Sequence, residues 1–247
     1  MEQKWTREFP VPLSLCDRRG KLSLPGVFSL FMDIATDHAE HIGLGLGAMS
    51  ARHLFWLTVR TRARLYRLPA LEERVRLTTW PEKAGAMRCS RDYTLTAGDE
   101  LLAAGKTEWA VLDTETGRPH PMQDVYPPEL TAILTEETVW PEPFSRLREE
   151  TEDAVSLGSY TVRSTDIDVG GHMNNAAYPR MLLGAFSSKE LEALKIREME
   201  LCYRAPCYEG ETLTLLERRT EEGFDLTALR PDGKAALLCR VLSEKTE

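Results

Sequence analysis

The sequence has no long apolar segment and no cluster of cysteines. No apolar run among its 247 residues approaches the ~20 residues of a membrane-spanning helix. The opening residues, MEQKWTREFP, have no apolar core of the kind found in a secretory signal. The five cysteines are scattered, and the nearest pair, Cys202 and Cys207, does not have CxxC spacing. We therefore expect a cytoplasmic protein with no disulfide framework, no metal, no other cofactor and no membrane association.

Acidic residues outnumber basic ones, 39 to 31. A net charge of −8 at pH 7 argues against nucleic acid as a general partner, because nucleic-acid surfaces bind basic proteins. The sequence contains neither a P-loop nor a carboxylate cluster of the kind that holds Mg²⁺, which argues against phosphoryl transfer. Hydrophobic residues make up 42% of the chain, which is enough to bury the core of one large domain or two small ones.

The first third of the chain changes from helical to strand periodicity. Residues 26–43 place apolar side chains three or four positions apart, which predicts a helix. Ser23 is placed to begin this helix, and the glycines after residue 42 are placed to end it. Strands are predicted after it, and a helix followed by strands alone indicates an antiparallel sheet packed on that helix, an α+β arrangement. The predicted strands cover residues 57–65, 74–80, 91–95 and 105–113.

Strict alternation within residues 57–65 predicts a strand with two different faces. Leu57, Val59 and Thr61 are predicted on one face, together with Ala63 and Leu65. The other face carries three basic residues in a row, Arg60, Arg62 and Arg64.

The same order of elements recurs after a proline-rich segment. Residues 119–153 combine prolines with acidic residues, which predicts a linker on the surface. A strand at residues 159–163 and a helix at about 174–186 follow, and then further strands. The predicted organisation is thus an N-terminal domain (1–118), a linker (119–153) and a C-terminal domain (154–247). The later strands are predicted near residues 197–204, 212–218, 224–229 and 235–242.

Two blocks of similar residues support a duplication. CDRRGKLSLPGVFSLFM aligns with IDVGGHMNNAAYPRML at an offset of 151, and YRLPALEERV aligns with YRAPCYEGET at an offset of 137. Two blocks in the same order predict a duplicated unit of one helix and one sheet. The first copy has DRRGKLS where the second has DVGGHMN, so the turn itself does not require histidine or asparagine.

Residues 165–175, TDIDVGGHMNN, form a polar loop ahead of the second predicted helix. One interpretation is structural, with Asp168 or Asn174 capping the helix and Gly170 and Gly171 supplying positive φ. The other is catalytic: backbone N–H groups at the helix start polarise a carbonyl, and Asp168 or His172 activates water. These groups suit acyl transfer to water.

The motif DIDVGGHMNNAAY resembles the active segment of hotdog-fold thioesterases. Together with GKLSLPGVFSLFMDIATDHAEHIGLG and FWLTVRTRARLYRLPALEERVRLTTWP, it makes most of the chain similar to the acyl-ACP thioesterase family. The resemblance implies a tandem double-hotdog fold, in which each half is a central helix wrapped by an antiparallel β-sheet. It also implies that fatty acyl-ACP is hydrolysed to free fatty acid in fatty acid biosynthesis.

Only some of the family's catalytic residues have a match in this sequence. Asp168 and His172 match the family's Asp and His, and Cys207 matches its Cys, but Gly170 and Pro206 stand at the Asn and Glu positions. Three interpretations of this difference are open. Asp168 could suffice for catalysis together with an oxyanion hole at the helix N-terminus, or Asn174, Cys207 or Glu209 could take over part of the role of the missing residues. Alternatively, the protein could bind acyl groups and hydrolyse them slowly. The candidate catalytic residues are Asp168, His172, Asn174 and Cys207, with Gly170 and Gly171 as the oxyanion-binding backbone.

The remaining predictions concern substrate and carrier. The acyl chain is expected in the first domain against Phe28, Phe31, Met32 and Trp56. Acyl carrier protein is acidic, so the basic face with Arg60, Arg62 and Arg64 is its predicted docking site. An acyl-CoA thioesterase and a catalytically weak acyl- or carrier-binding protein stay open as alternative functions. The chain could also assemble as a homodimer.

Overall fold

The computed structural model describes residues 3–126 and 128–244. The chain divides into two compact units between Pro143 and Phe144. This division lies inside the segment predicted as a linker, so the predicted boundaries at residues 118 and 153 differ from it.

The first unit contains an antiparallel sheet and one long helix. The strands run in the order β1-β3-β4-β5-β2, and β6 pairs with β5. The strands are β1 (Trp5–Pro10), β2 (Leu54–Leu65), β3 (Arg74–Pro81), β4 (Cys89–Ala97), β5 (Glu100–Asp113) and β6 (Arg118–His120), and the helices are α1 (Leu24–His41), α2 (Leu46–Ser50) and α3 (Met122–Val125).

The long helix α1 begins and packs as its sequence predicts. The Ser23 side chain accepts a hydrogen bond from the Gly26 N–H at 3.1 Å, which caps the first turn. The Phe31 ring stacks on Tyr93 with the ring centroids 4.5 Å apart. A Cβ at Gly105 would lie 2.1 Å from that ring, so only glycine lets the helix approach the sheet this closely.

A β-bulge in β2 corrects the predicted alternation. The pairing with β5 shifts between Thr58 and Arg60, so the side chains change phase there. Thr58 and Thr61 pair with residues of β5 that share one face, and both are buried. Leu57 was predicted on the face of Thr61, and this prediction is wrong because the bulge inserts one extra residue between them.

The segment predicted as a surface linker is partly core. Its N-terminal part forms β6, α3 and a 3-10 helix at Pro128–Ile133. Apolar side chains of this part pack with residues of α2 and β2, and Trp140 is also buried. Residues 119–143 therefore complete the first unit. The packed side chains are Met122, Val125, Tyr126, Leu130 and Ile133.

The second unit repeats the strand order of the first. Its sheet runs β7-β9-β10-β11-β8, which matches β1-β3-β4-β5-β2 strand for strand. This repetition confirms the predicted α+β unit in both halves of the chain. The strands are β7 (Val155–Thr161), β8 (Ile196–Tyr203), β9 (Thr212–Thr220), β10 (Gly223–Leu229) and β11 (Ala235–Ser243), and the helices are α4 (Ala177–Leu183) and α5 (Ser188–Ala193).

The second helix is shorter than predicted. The sequence predicts a helix at about 174–186, but α4 has seven residues, against 18 in α1. The Asn174 side chain accepts a hydrogen bond from the Ala176 N–H at 2.8 Å, which holds the preceding residues in a turn. After Leu183, the chain leaves the helix at Gly184, and Ser187 with Glu190 caps the separate helix α5.

Equivalent backbone hydrogen bonds show how the two copies align. The Leu22 N–H donates to the Pro69 carbonyl at 2.9 Å, and the Met173 N–H donates to the Cys207 carbonyl at 2.8 Å. The first predicted offset, 151, therefore holds. The second is one residue larger than predicted, because Pro69 corresponds to Cys207 and not to Pro206.

Candidate active site

The polar loop is closed by its own backbone. The Asp168 N–H donates to the His172 carbonyl at 3.0 Å, and the Gly171 N–H donates to the Asp168 carbonyl at 3.0 Å. Ile167 and Met173 form a β-bridge at the base. Gly171 has φ 74°, a left-handed conformation that favours glycine. The loop thus presents residues 168–172 on a tight turn.

The first unit contains the same turn without the catalytic candidates. The Asp17 N–H donates to the Lys21 carbonyl at 2.7 Å, the Gly20 N–H donates to the Asp17 carbonyl at 3.0 Å, and Gly20 has φ 65°. Asp17 and Gly20 correspond to Asp168 and Gly171, whereas Lys21 occupies the place of His172. An aspartate and a glycine therefore suffice for the turn, and the imidazole is an addition in the second copy.

Asp168 and His172 lie side by side at the surface. The Asp168 Oδ1 accepts a hydrogen bond from the Gly170 N–H at 2.8 Å and lies 3.8 Å from the His172 Nδ1. Both side chains are about a fifth exposed, at 22% each. At 3.8 Å the two groups are within ion-pair range but beyond a direct hydrogen bond. A carboxylate and an imidazole that both reach solvent can exchange protons with a bound water.

The two glycines do not offer the predicted oxyanion-binding N–H groups. The Gly170 N–H donates to the Asp168 carboxylate, and the Gly171 N–H donates to the Asp168 carbonyl. This conformation corrects the prediction, because each of these donors is already used inside the loop. The side-chain oxygen of Asn174 is also used inside the loop, because it accepts a hydrogen bond from the Ala176 N–H and forms the turn into α4.

Cys207 is a packed residue beneath the loop. Its side chain is fully buried, and its carbonyl holds the Met173 N–H. Burial is the largest effect on the thiol and raises the pKa of Cys207, although a hydrogen bond from the Tyr178 hydroxyl acts in the opposite direction. A buried thiol with a raised pKa is a poor nucleophile. The structure therefore argues against the prediction of Cys207 as a catalytic residue.

A second aspartate of the polar loop, Asp166, is buried, and its importance was not predicted. It is 8% exposed, and its Oδ2 accepts hydrogen bonds from the Tyr160 hydroxyl at 2.7 Å and from the Arg163 N–H at 2.8 Å. The sequence signal was the pair of aspartates in TDID, but periodicity alone does not show which of them faces solvent.

The predicted substrate-binding residues belong to the first unit. Phe28 and Phe31 are buried, and Met32 and Trp56 are half-buried. The Trp56 indole donates to the Leu44 carbonyl at 2.9 Å, which fixes its orientation. Their contact with an acyl chain stays a prediction.

Arg62 is not a surface residue of the predicted carrier-binding face. It is 3% exposed, it donates to the backbone carbonyls of Glu142 and Pro143, and its guanidinium lies 4.0 Å from the Trp140 ring centroid. Arg64 lies over the same ring at 4.3 Å. These contacts correct the prediction for Arg62, because a buried guanidinium that binds its own chain cannot dock a carrier. Roles for Arg60 and Arg64 in docking stay predictions.

Comparisons with known proteins agree with the repeated architecture. The sequence profile of the acyl-ACP thioesterase N-terminal domain matches residues 2–130, and that of the acyl-ACP thioesterase C-terminal domain matches residues 149–233. Among curated relatives, oleoyl-acyl carrier protein thioesterase 1 of Arabidopsis thaliana is 22% identical over 79% of this chain and 58% of its own length. A palmitoyl-acyl carrier protein thioesterase of Cuphea hookeriana is 26% identical over 85% of this chain and 51% of its own. The chain thus spans little more than half the length of these relatives.

Solved structures show the same fold. An acyl-ACP thioesterase from Bacteroides thetaiotaomicron aligns with a TM-score of 0.88, at 21% identity over 98% of each chain. The 12:0-ACP thioesterase from Umbellularia californica aligns with a TM-score of 0.85, at 21% identity over 100% of this chain and 99% of its own. The predicted tandem double-hotdog fold is confirmed. Within the described residues, no helix is both long and apolar enough to cross a bilayer. Since one family profile alone covers more than half of the sequence, the chain belongs to the acyl-ACP thioesterase family.

Proposed function

We propose that this protein hydrolyses the thioester of fatty acyl-ACP and releases a free fatty acid and the carrier thiol. The observation that carries the proposal is the pairing of Asp168 with His172, 3.8 Å apart, on a turn whose duplicate has lysine in place of the histidine. Membership in the acyl-ACP thioesterase family supports the choice of a thioester as the bond that is cleaved.

Asp168 acts as the general base in this proposal. It takes a proton from water while the water oxygen attacks the thioester carbonyl carbon. The tetrahedral intermediate then expels the sulfur, which leaves as the carrier thiol after it receives the proton. The His172 Nδ1 lies 3.8 Å from the Asp168 Oδ1, so in this proposal the attacking water bridges the two side chains, and His172 orients it. The reaction consumes one water and needs no further reactant.

The absence of the family's Asn and Glu raises a second candidate function. Gly170 and Pro206 carry no side chain able to hold water, which favours a catalytically weak protein that binds acyl groups or their carrier. We prefer hydrolysis, because Asp168 keeps its own backbone donor from Gly170 and does not need an asparagine to fix its position.

The acyl chain and the carrier are assigned by the same proposal. We place the acyl chain in the first unit, near Phe28, Phe31, Met32 and Trp56, and catalysis in the second. Acyl carrier protein is the expected partner, with acyl-CoA as the alternative donor. A cytoplasmic location and a homodimeric assembly are further expectations.

Release of free thiol tests the proposal. The purified chain is incubated with acyl-ACP and acyl-CoA of matched chain length, and the thiol is trapped with a chromogenic reagent. We expect release from acyl-ACP, loss of turnover in Asp168→Ala and severe reduction in His172→Ala. Wild-type protein that releases no more thiol than Asp168→Ala would favour the binding function instead. Faster turnover of acyl-CoA would change the assigned carrier.

A further inference from the structure

The buried carboxylate of Asp166 accepts hydrogen bonds from two residues that precede the polar loop. The Tyr160 hydroxyl and the Arg163 N–H both donate to the same oxygen, at 2.7 and 2.8 Å. Burial, followed by the bond to Asp166, raises the pKa of Tyr160 to about 12, so the hydroxyl keeps its proton at neutral pH. A buried carboxylate is costly unless it is bonded, and both bonds here come from residues just before the loop.

Asp166 also joins the two ends of the polar loop. Its backbone carbonyl accepts a hydrogen bond from the Asn174 N–H at 2.8 Å, and the next residue, Ile167, bridges to Met173. Asp168 and His172 lie between these two connections. A side chain that fixes Asp166 therefore fixes both the entry and the exit of the segment that carries the catalytic pair.

The first unit makes the same backbone bond without any of these polar groups. The Ser23 N–H donates to the Leu15 carbonyl at 2.8 Å, as the Asn174 N–H does to the Asp166 carbonyl. At the offset of 151, Phe9 replaces Tyr160, Pro12 replaces Arg163 and Leu15 replaces Asp166. The acceptor, its hydroxyl donor and its N–H donor are thus all missing together. The fold does not require them, and they occur only in the copy that carries His172.

We propose that the Tyr160–Asp166 hydrogen bond is a positioning device that holds Asp168 and His172 in the geometry for thioester hydrolysis. This inference rests on the proposed function for its catalytic consequence. Tyr160 and Asp166 act through the loop backbone, so they are positioning residues and take no proton from the substrate.

Two variants separate positioning from folding. Tyr160→Phe removes only the hydroxyl that donates to Asp166. The triple variant Tyr160→Phe, Arg163→Pro, Asp166→Leu rebuilds the residues of the first copy, where Pro12 has φ −79° and ψ 143° and Arg163 has a similar −99° and 160°. The exposed Tyr66→Phe is the matched control for loss of a hydroxyl.

The expected result is a loss of turnover without a loss of fold. A hydrogen bond to a charged group is strong enough for kcat to fall about tenfold in Tyr160→Phe, with KM changed by less than about twofold. The triple variant should keep a Tm near that of the wild type, because acceptor and donors disappear together, and its kcat should be at least as low. A triple variant with wild-type kcat would overturn the inference. A triple variant whose Tm falls together with its kcat would overturn it too, because the loss of turnover would then follow from a loss of folding.

Hydrogen exchange provides a readout that does not depend on turnover. In Tyr160→Phe, amides of residues 166–174 should exchange about tenfold faster, whereas residues 15–23 of the first copy should be unchanged. If the wild type hydrolyses nothing while this local change occurs, the proposed function fails and the positioning role stands. Unchanged exchange in residues 166–174 would refute the positioning role itself.

Discussion

Substitution of Arg62 tests whether this buried residue of β2 stabilises the chain or binds a carrier. Arg62 donates to the carbonyls of Glu142 and Pro143, the latter at 3.1 Å, and lies 4.0 Å from the Trp140 ring centroid. Arg62→Met keeps much of the apolar stem but removes both donors and the charge. Hydrogen bonds from charged groups contribute about 1.5–3 kcal/mol each and a cation–π contact about 0.5–2 kcal/mol. Because these contributions overlap, we expect the free energy of unfolding to fall by about 3 kcal/mol.

Thermal unfolding followed by circular dichroism measures this loss. A chain of this size loses about 2–4 °C per kcal/mol, so the Tm of Arg62→Met should fall by about 6–12 °C. Arg74→Met, at an exposed arginine of β3, is the matched control and should change the Tm by no more than about 2 °C. The KM for acyl-ACP should keep its dependence on salt in Arg62→Met. An unchanged Tm with a raised KM that no longer responds to salt would refute the structural role.

Two further predictions concern buried titratable groups. Cys207→Ala should keep wild-type kcat in the thiol-release assay, because the thiol is buried beneath the loop, while the free energy of unfolding falls by about 1 kcal/mol; abolished turnover in a folded variant would restore Cys207 as a nucleophile. Asp92 is also buried, and burial, reinforced by Glu82, raises the pKa of its carboxyl from 3.8 to about 8. The folded chain then keeps a proton that the unfolded chain releases, so stability is lost as the pH rises through this window. Asp92→Asn should therefore lose less stability than the wild type between pH 5 and pH 8 in urea unfolding, by about 3–4 kcal/mol; equal losses would reject the raised pKa.

Periodicity predicted the repeated fold because both copies carry the same local signals. Ser23 caps α1 as its side chain indicates. The alternation in the sequence predicts the bounds of most strands to within a few residues. The bulge after Thr58 was not predictable, because an extra residue in one strand is defined only by its partner strand. The short α4 depends on the Asn174 turn, whose sequence pattern also fits a helix start. The proline-rich segment is partly core because its apolar side chains pack with α2 and β2 and because Trp140 contacts Arg62, and the local sequence shows neither partner.

The candidate site was predictable where it depends on residue type and not where it depends on burial. Asp168 and His172 follow from the motif and from the difference between the copies. The sequence could not separate the solvent-facing Asp168 from the buried Asp166, because both stand in the same TDID run. It also placed Arg62 on an open face, because alternation gives the side of a strand but not what covers it.

Thiol release by Asp168→Asn, compared with Asp17→Asn, tests the central claim most directly. The two aspartates occupy equivalent turns, and each accepts a hydrogen bond from the N–H two residues further on, at 2.8 Å for Asp168 and 2.9 Å for Asp17. Asp17 also accepts hydrogen bonds from the Arg19 guanidinium and from the Lys21 N–H, so Asp17→Asn should disturb its own turn at least as much as Asp168→Asn does. We expect Asp168→Asn to lower kcat on acyl-ACP by at least about a hundredfold and Asp17→Asn to leave it within about twofold. Equal kcat values in the two variants would contradict a catalytic role for Asp168.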